Sequence, residues 1–285
     1  MIKGRVLLAT DFSRTAEKLT KSLTELKEIG VSEVLLINVV DIRHEGINAS
    51  QLIEYNEKRL EEVKKGIEEL GLEVETRVPI GFAADEIVKL AKSEDISLIL
   101  IASHGEGIIK KIFLGSTTHN VIRRSPVPVL IEKFKNVKSG DFELVCKRKF
   151  DKIMVPTDFS ECADEVLDMV VKMHTPARKI ILVSIIESSN DLEELEERKK
   201  ESREKLEEIK EQLKEHQVDC ELSVKIGEGV ASSNIIRIAK DEEVGIIIMG
   251  TRGKGFIKDL LLGSTADRVA QRSPIPVLLV PCKKK

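Results

Sequence analysis

The sequence predicts an α/β fold of two tandem, open, parallel five-stranded sheets, each with helices on both faces. An internal repeat, an alternation of short apolar runs with longer amphipathic ones, and a length suited to two domains carry that expectation. Thr10-Asp11-Phe12-Ser13 recurs as Thr157-Asp158-Phe159-Ser160, and Leu114-Gly115-Ser116-Thr117 as Leu262-Gly263-Ser264-Thr265. Arg124-Ser125-Pro126-Val127-Pro128-Val129-Leu130 recurs as Arg272-Ser273-Pro274-Ile275-Pro276-Val277-Leu278. The offset is 147 residues between Asp11 and Asp158, and 148 between Gly115 and Gly263 and between Pro126 and Pro274. Three motifs kept in order with one residue of slip imply a duplication. The 285 residues accommodate two domains of about 140 residues, near the usual domain size.

In the first copy, Gly4 to Ala9, Glu33 to Val39, Leu72 to Val78, Ile96 to Ala102 and Val127 to Ile131 read as five strands. Their near-continuous Val, Ile and Leu content suits strands covered on both faces. Leu60, Val63, Ile67 and Leu70, spaced by three and four, make the apolar stripe of a helix between them. The second copy repeats the plan from Ile153 to Val280. Its charged segment from Asp191 to His216 carries Leu206, Ile209 and Leu213 on one face and reads as a solvated helix, too few heptads for a coiled coil. Strand–helix alternation of this kind gives a parallel sheet with right-handed crossovers. Residues 135–149, which include Ser139-Gly140, have no counterpart within a domain. They read as a linker between a domain of residues 1–134 and one of residues 150–285.

Composition bounds the function. Hydrophobic residues make up 41% of the chain, enough for two cores. Charged residues make up 33%, yet net charge is only −3, so acids and bases are interspersed. That argues against a nucleic-acid surface or a polybasic membrane patch. The apolar run from Met1 to Ala9 is broken by Lys3 and Arg5, unlike a signal peptide. No apolar stretch approaches the ~20 residues of a bilayer span. A cytoplasmic protein is expected. Cys146, Cys162, Cys220 and Cys282 lie far apart without CxxC spacing, which suits free thiols in a reducing compartment and offers no zinc site. Abundant Lys and Glu with no Trp hint at a heat-adapted source.

In open α/β sheets, ligands bind at the carboxyl ends of strands where the strand order reverses. Two segments converge there. Thr10-Asp11 and Thr157-Asp158 follow the first strand of each copy, where an acid accepts hydrogen bonds from ribose hydroxyls or caps a helix. Ser13 and Ser160 are the better caps. The second segment, Gly250-Thr251-Arg252-Gly253, nine residues, then Gly263-Ser264-Thr265, follows the strand Val244 to Met249 and opens a helix. Gly250 and Gly253 are expected to let backbone approach a ligand and to adopt conformations that a Cβ forbids. Gly263, Ser264 and Thr265 begin a helix, where N–H groups and the dipole favour phosphate. The chain lacks both GxxxxGK[ST] and a post-strand GxGxxG, which argues against a P-loop NTPase and a dinucleotide cofactor.

These residues resemble the universal stress protein family in its tandem-domain form. Its nucleotide-binding members carry G-x-x-G, nine residues, then G-[S/T], which Gly250, Gly253, Gly263 and Ser264 match in full. The resemblance implies a sheet of order 3-2-1-4-5, of the adenine nucleotide alpha hydrolase-like type. It implies ATP or AMP as ligand, with Mg²⁺ accompanying a triphosphate, and no metal site of the protein's own. It places the ribose-binding acid at Asp11 and Asp158, the backbone contact to adenine at Val39 and Ile185, and the glycine loop at Ala102 through Gly105 and Gly250 through Gly253. The phosphate-binding helix start falls at Gly115-Ser116-Thr117 and Gly263-Ser264-Thr265. His104 and Arg252 share one loop position and either reach phosphates or stay solvated. Ala102 stands where the motif has its first glycine. A methyl there is harmless if only size matters, and blocks the site if positive φ or direct contact is required.

Three functions follow. The leading one is a stress-response binding module that relays adenine nucleotide occupancy to an unidentified protein partner. A slow ATP hydrolase is the second, disfavoured because the motif specifies no base. A nucleotide-free scaffold is the third, open only for the first domain. The apolar last strands, Val127 to Ile131 and Ile275 to Val280, are edges that need covering. By the resemblance they pair within one chain, and a homodimer is a further possibility.

Overall fold

The computed structural model describes residues 4–41, 49–103, 114–137, 142–160, 162–189, 191–253 and 262–282. The chain divides into two compact units, Ile2–Lys147 and Arg148–Lys285. The first contains β1 (Gly4–Ala9), α1 (Arg14–Glu28), β2 (Val31–Ile37), β3 (Val40–Asp41), α2 (Ala49–Glu68), β4 (Glu73–Arg77) and β5 (Ile80–Gly81). It continues with α3 (Ala83–Ser93), β6 (Ile96–Ala102), α4 (Ser116–Arg124), β7 (Val129–Glu132), β8 (Phe134–Asn136) and β9 (Phe142–Leu144). The second contains β10 (Lys152–Pro156), α5 (Ala163–Met173), β11 (Lys179–Ile186), α6 (Leu192–Glu215), β12 (Glu221–Glu228), α7 (Ala231–Asp241), β13 (Ile246–Gly250), α8 (Ser264–Arg272) and β14 (Val277–Val280).

Within the first unit the parallel strands run β4-β2-β1-β6-β7. Within the second they run β12-β11-β10-β13-β14. Each is the expected 3-2-1-4-5 order. The central strands are buried residue after residue, as Val6-Leu7-Leu8 and Ile180-Ile181-Leu182-Val183 illustrate. Both faces of these strands are therefore covered. In the first unit α1 packs on α2 and α3 on α4, one pair per face, as right-handed crossovers in opposite directions require. The outermost strands differ in kind. β4 and β12 are only partly buried, and β12 carries Glu221, Lys225 and Glu228. Lys179–Glu221 and Lys225–Glu242 ion pairs, each at 2.5 Å, dress that side. Charge on such an edge opposes pairing with foreign strands.

The long charged segment is a helix as expected. Asp191 caps α6, accepting from the Glu193 and Glu194 amides at 2.9 and 3.2 Å, and Leu206, Ile209 and Leu213 are buried. Residues 135–149, read as a linker, hold most of an antiparallel β8–β9 hairpin whose second strand packs on α1. β3 and β5 are a two-residue parallel bridge that no periodicity announces. No described helix is long and apolar enough to cross a membrane.

The expectation of four free thiols is corrected. Cys162 and Cys282 form a disulfide across 120 residues of sequence, with Cα atoms 5.1 Å apart. Cys146 and Cys220 take part in no disulfide. Sequence distance hid the pairing, because only the folded sheet brings the start of α5 beside the end of β14.

A buried lysine follows β7. Burial lowers the Lys133 pKa to about 8. The buried amine sheds its proton near pH 8, whereas the unfolded chain holds it to about pH 10.5. The unfolded state thus binds more protons across that window, and stability rises with pH there. Lys133→Met is expected to abolish that rise and to stabilise the first unit at pH 7 by on the order of 2 kcal/mol. Urea midpoints of both proteins at pH 7 and pH 9.5 check it; parallel pH dependence in the two would refute it.

Candidate functional site

Both units turn sharply where their first central strand ends. Thr10 N donates to the Ile37 carbonyl at 2.9 Å and Thr157 N to the Val183 carbonyl at 2.8 Å. The threonine hydroxyls accept from Phe12 N and Phe159 N, each at 3.0 Å. The acids then close Asx turns: Asp11 Oδ1 accepts from Ser13 N at 3.0 Å and Asp158 Oδ1 from Ser160 N at 3.2 Å. The residue after each acid sits in the left-handed region, Phe12 at φ 58° and Phe159 at φ 59°. A cation lies over each ring, Arg59 at 4.1 Å from the Phe12 centroid and Lys205 at 5.7 Å from that of Phe159. The same strained residue in both copies persists because the turn over-determines it. The turn thereby holds the acid beside it. Recurrence was the only sequence signal for these phenylalanines.

Ser13 caps α1, its Oγ accepting from Ala16 N at 3.2 Å. Ser160 does not cap α5, contrary to expectation. That helix starts at Ala163 with Cys162 as its N-cap residue, and Ser160 contributes only its carbonyl, which accepts from Ala163 N at 2.9 Å.

Gly115 and Gly263 are the N-caps of α4 and α8. Their carbonyls accept from His119 N and Asp267 N, each at 2.9 Å, and their amides donate to the Ser103 and Thr251 carbonyls at 2.8 and 2.7 Å. A glycine cap has no side chain to engage the first-turn N–H groups, including those of Ser116-Thr117 and Ser264-Thr265. Those groups and the helix dipole make a positive terminus.

The expected left-handed conformations are absent from these glycines. Gly250, Gly253 and Gly263 all lie outside the positive-φ region. Crowding is what a side chain would meet, most severely at Gly253. A Cβ on Gly253 would run into Asp158 Oδ2, one on Gly263 would lie 3.2 Å from the Thr251 carbonyl oxygen, and one on Gly250 would lie 3.2 Å from Cys162 Cβ. The loop thus rests on the acid's carboxylate. Ala102 ends β6 opposite Glu132 as Gly250 ends β13 opposite Val280. Neither has positive φ, so the methyl of Ala102 adds bulk without backbone strain. The Ala102 carbonyl accepts from Thr118 Oγ1 at 2.8 Å.

In the second unit these pieces enclose a cavity of about 570 Å³ at the carboxyl ends of β10, β11 and β13. Thr157, Asp158, Ile185, Gly250, Arg252, Gly253, Gly263, Ser264 and Thr265 all line it, every residue named from this copy. β11, α6 and α7 contribute apolar groups, Val183, Ile185, Ile209 and Ile235, whereas the loop and α8 contribute polar ones. Cys162 and Glu187 also line it and were not foreseen. The volume falls within the roughly 300–1,000 Å³ of small-molecule pockets.

In the first unit Thr10, Asp11 and Val39 lie just beyond β1 and β2, Ala102 ends β6, and Gly115, Ser116 and Thr117 open α4. Buried Asn38 donates to the Thr10 carbonyl at 2.9 Å and accepts from buried Asn56 Nδ2 at 2.8 Å, which ties α2 to this strand end. His104 and Gly105 lie outside the described residues.

The family model for the universal stress protein family matches residues 3–133 and again 149–281. Universal stress protein MJ0577 of Methanocaldococcus jannaschii is 35% identical over 155 residues, covering 46% of this chain and 96% of that protein. Universal stress protein Slr1230 of Synechocystis is 24% identical over 278 residues, covering 96% of this chain and 88% of that one. The crystal structure of a universal stress protein from Archaeoglobus fulgidus superposes with a TM-score of 0.74 at 28% identity, covering 97% of this chain and 96% of the other.

Proposed function

The chain belongs to the universal stress protein family, in tandem form, and we propose that it binds an adenine nucleotide, ATP or AMP, in each domain. The domains are residues 1–134 and 150–285, joined by 135–149. One observation carries the reading: a single cavity is lined both by Asp158 and by the start of α8, which no side chain caps. An acid that accepts from ribose hydroxyls, amides that donate to phosphate and apolar walls that cover a base are the three needs of a nucleotide. Mg²⁺ would accompany a triphosphate. Asp158, engaged with ribose, is not available as a base. The protein therefore acts as a cytoplasmic sensor or regulatory module whose occupancy a partner protein reads.

Calorimetry with ATP, ADP and AMP tests this on the wild type and on Gly115→Val and Gly263→Val. Each variant crowds a helix start that phosphate needs. One nucleotide per domain is expected, with the first site lost in Gly115→Val and the second in Gly263→Val. No saturable binding of any adenine nucleotide to the wild type would sink the reading.

A further inference from the structure

We propose that the Cys162–Cys282 disulfide is a redox-controlled clamp on the second cavity, closed when oxidised and released by a dithiol reductant; this rests on the nucleotide reading above. The bond joins the two sides of the site. Cys162 lines the cavity and follows the Asp158 turn by four residues. Cys282 follows β14, which pairs with β13 up to Gly250↔Val280, and Thr251 N donates to the Val280 carbonyl at 2.9 Å. One covalent link therefore ties the acid's side to the glycine loop's side.

Two features make the clamp consequential. Cys162 is the N-cap of α5, and no side-chain hydrogen bond caps that helix, so the disulfide anchors its start. Cys162 is also pressed on the loop, because a methyl on Gly250 would meet its Cβ at 3.2 Å. By the repeat register the equivalent positions in the first copy are Thr15 and Phe134, which cannot form the bond. Only one of the two sites carries the device.

Release is a two-electron thiol–disulfide exchange. A thiolate of the dithiol attacks Sγ of Cys282, the less buried of the two residues, and the S–S bond breaks to leave the Cys162 thiolate, which takes a proton from solvent. The second thiolate of the reductant displaces Cys282 from the mixed disulfide. The protein leaves with two thiols and the reductant as a cyclic disulfide. A site held in its binding geometry loses less freedom on binding, so reduction weakens nucleotide affinity. By linkage, bound nucleotide disfavours reduction by the same factor.

Equilibrium dialysis with ATP and AMP on the full chain, oxidised and dithiothreitol-reduced, tests this, with thiols counted by alkylation and mass spectrometry. Reduction is expected to weaken one site roughly tenfold and to leave the other unchanged. A Cys162→Ser/Cys282→Ser variant is expected to bind as the reduced protein does, without reductant. Four alkylatable thiols before any reductant, unchanged binding after two thiols appear, or a double variant that binds like the oxidised form each overturn the clamp and leave the nucleotide reading standing. No binding in either redox state overturns both.

Discussion

Gly253→Ala is expected to weaken ATP and AMP binding at the second site about a hundredfold, equivalent to about 2.7 kcal/mol. The cause is a single methyl. It would run into Asp158 Oδ2. That carboxylate cannot simply swing aside, because its other oxygen accepts from Ser160 N and the residue between them, Phe159, is held at φ 59°. Either the acid leaves its turn or the loop lifts from it, and both outcomes separate the groups meant for ribose and phosphate. Calorimetry reads the loss, and circular dichroism shows whether the domain stays folded. Full-strength binding in a folded Gly253→Ala protein would mean that the contact between loop and acid is irrelevant to the ligand.

The companion substitution should behave differently. Gly250→Ala installs at the second site the residue that the first site already has at Ala102. Its Cβ would lie 3.2 Å from Cys162 Cβ and 3.3 Å from the Arg252 carbonyl oxygen, distances that small shifts relieve. Binding within about threefold of wild type is expected, a difference of about 0.7 kcal/mol. The two glycines of one motif thus have unequal burdens, a distinction that the motif alone does not express.

That inequality marks where sequence reading ends. The duplication and the two parallel α/β sheets were legible in pattern, through apolar runs for covered strands, amphipathic spacing for helices and recurrence for the repeat, whereas the strand order came from the family resemblance. β1 and β6 even keep their expected bounds. What escaped is set by three-dimensional proximity. Gly250 and Gly253 were expected to take conformations that a Cβ forbids, yet neither has positive φ, and what a Cβ at these positions would meet is Cys162 and Asp158. The cysteines looked solitary, yet the fold joins two of them over 120 residues. Ser160 matched Ser13 in sequence, yet the helix after it starts at Ala163 behind a tethered Cys162. The β8–β9 hairpin escaped because three-residue strands are too short for alternation to register.

Gly245→Ala is expected to destabilise the second domain by about 3 kcal/mol or more, whereas Gly66→Ala in the first should stabilise by about 0.5–1 kcal/mol. The same methyl is added, with opposite signs. Gly66 lies within α2, exposed, and a Cβ there meets nothing within 4 Å, so only the conformational cost of a helical glycine is removed. Gly245 sits between α7 and β13, where its amide donates to the Lys152 carbonyl at 2.8 Å. A Cβ there would run into the carbonyl oxygen, Cα and carbonyl carbon of Lys149. These are backbone atoms that no rotamer change can move, and Lys149 and Phe150 are both fully buried. Relief requires displacing either the chain entering β10 or the turn entering β13, and these two strands pair at the centre of the sheet. In the first copy the equivalent position is Ser97, whose hydroxyl donates to the Arg5 carbonyl at 3.1 Å, and there Gly4 gives way instead. Urea unfolding followed by circular dichroism compares both variants with wild type. Equal stability of the Gly245→Ala protein would show that the approach of Lys149 to this turn can open at little cost, contrary to the packing of two buried backbones.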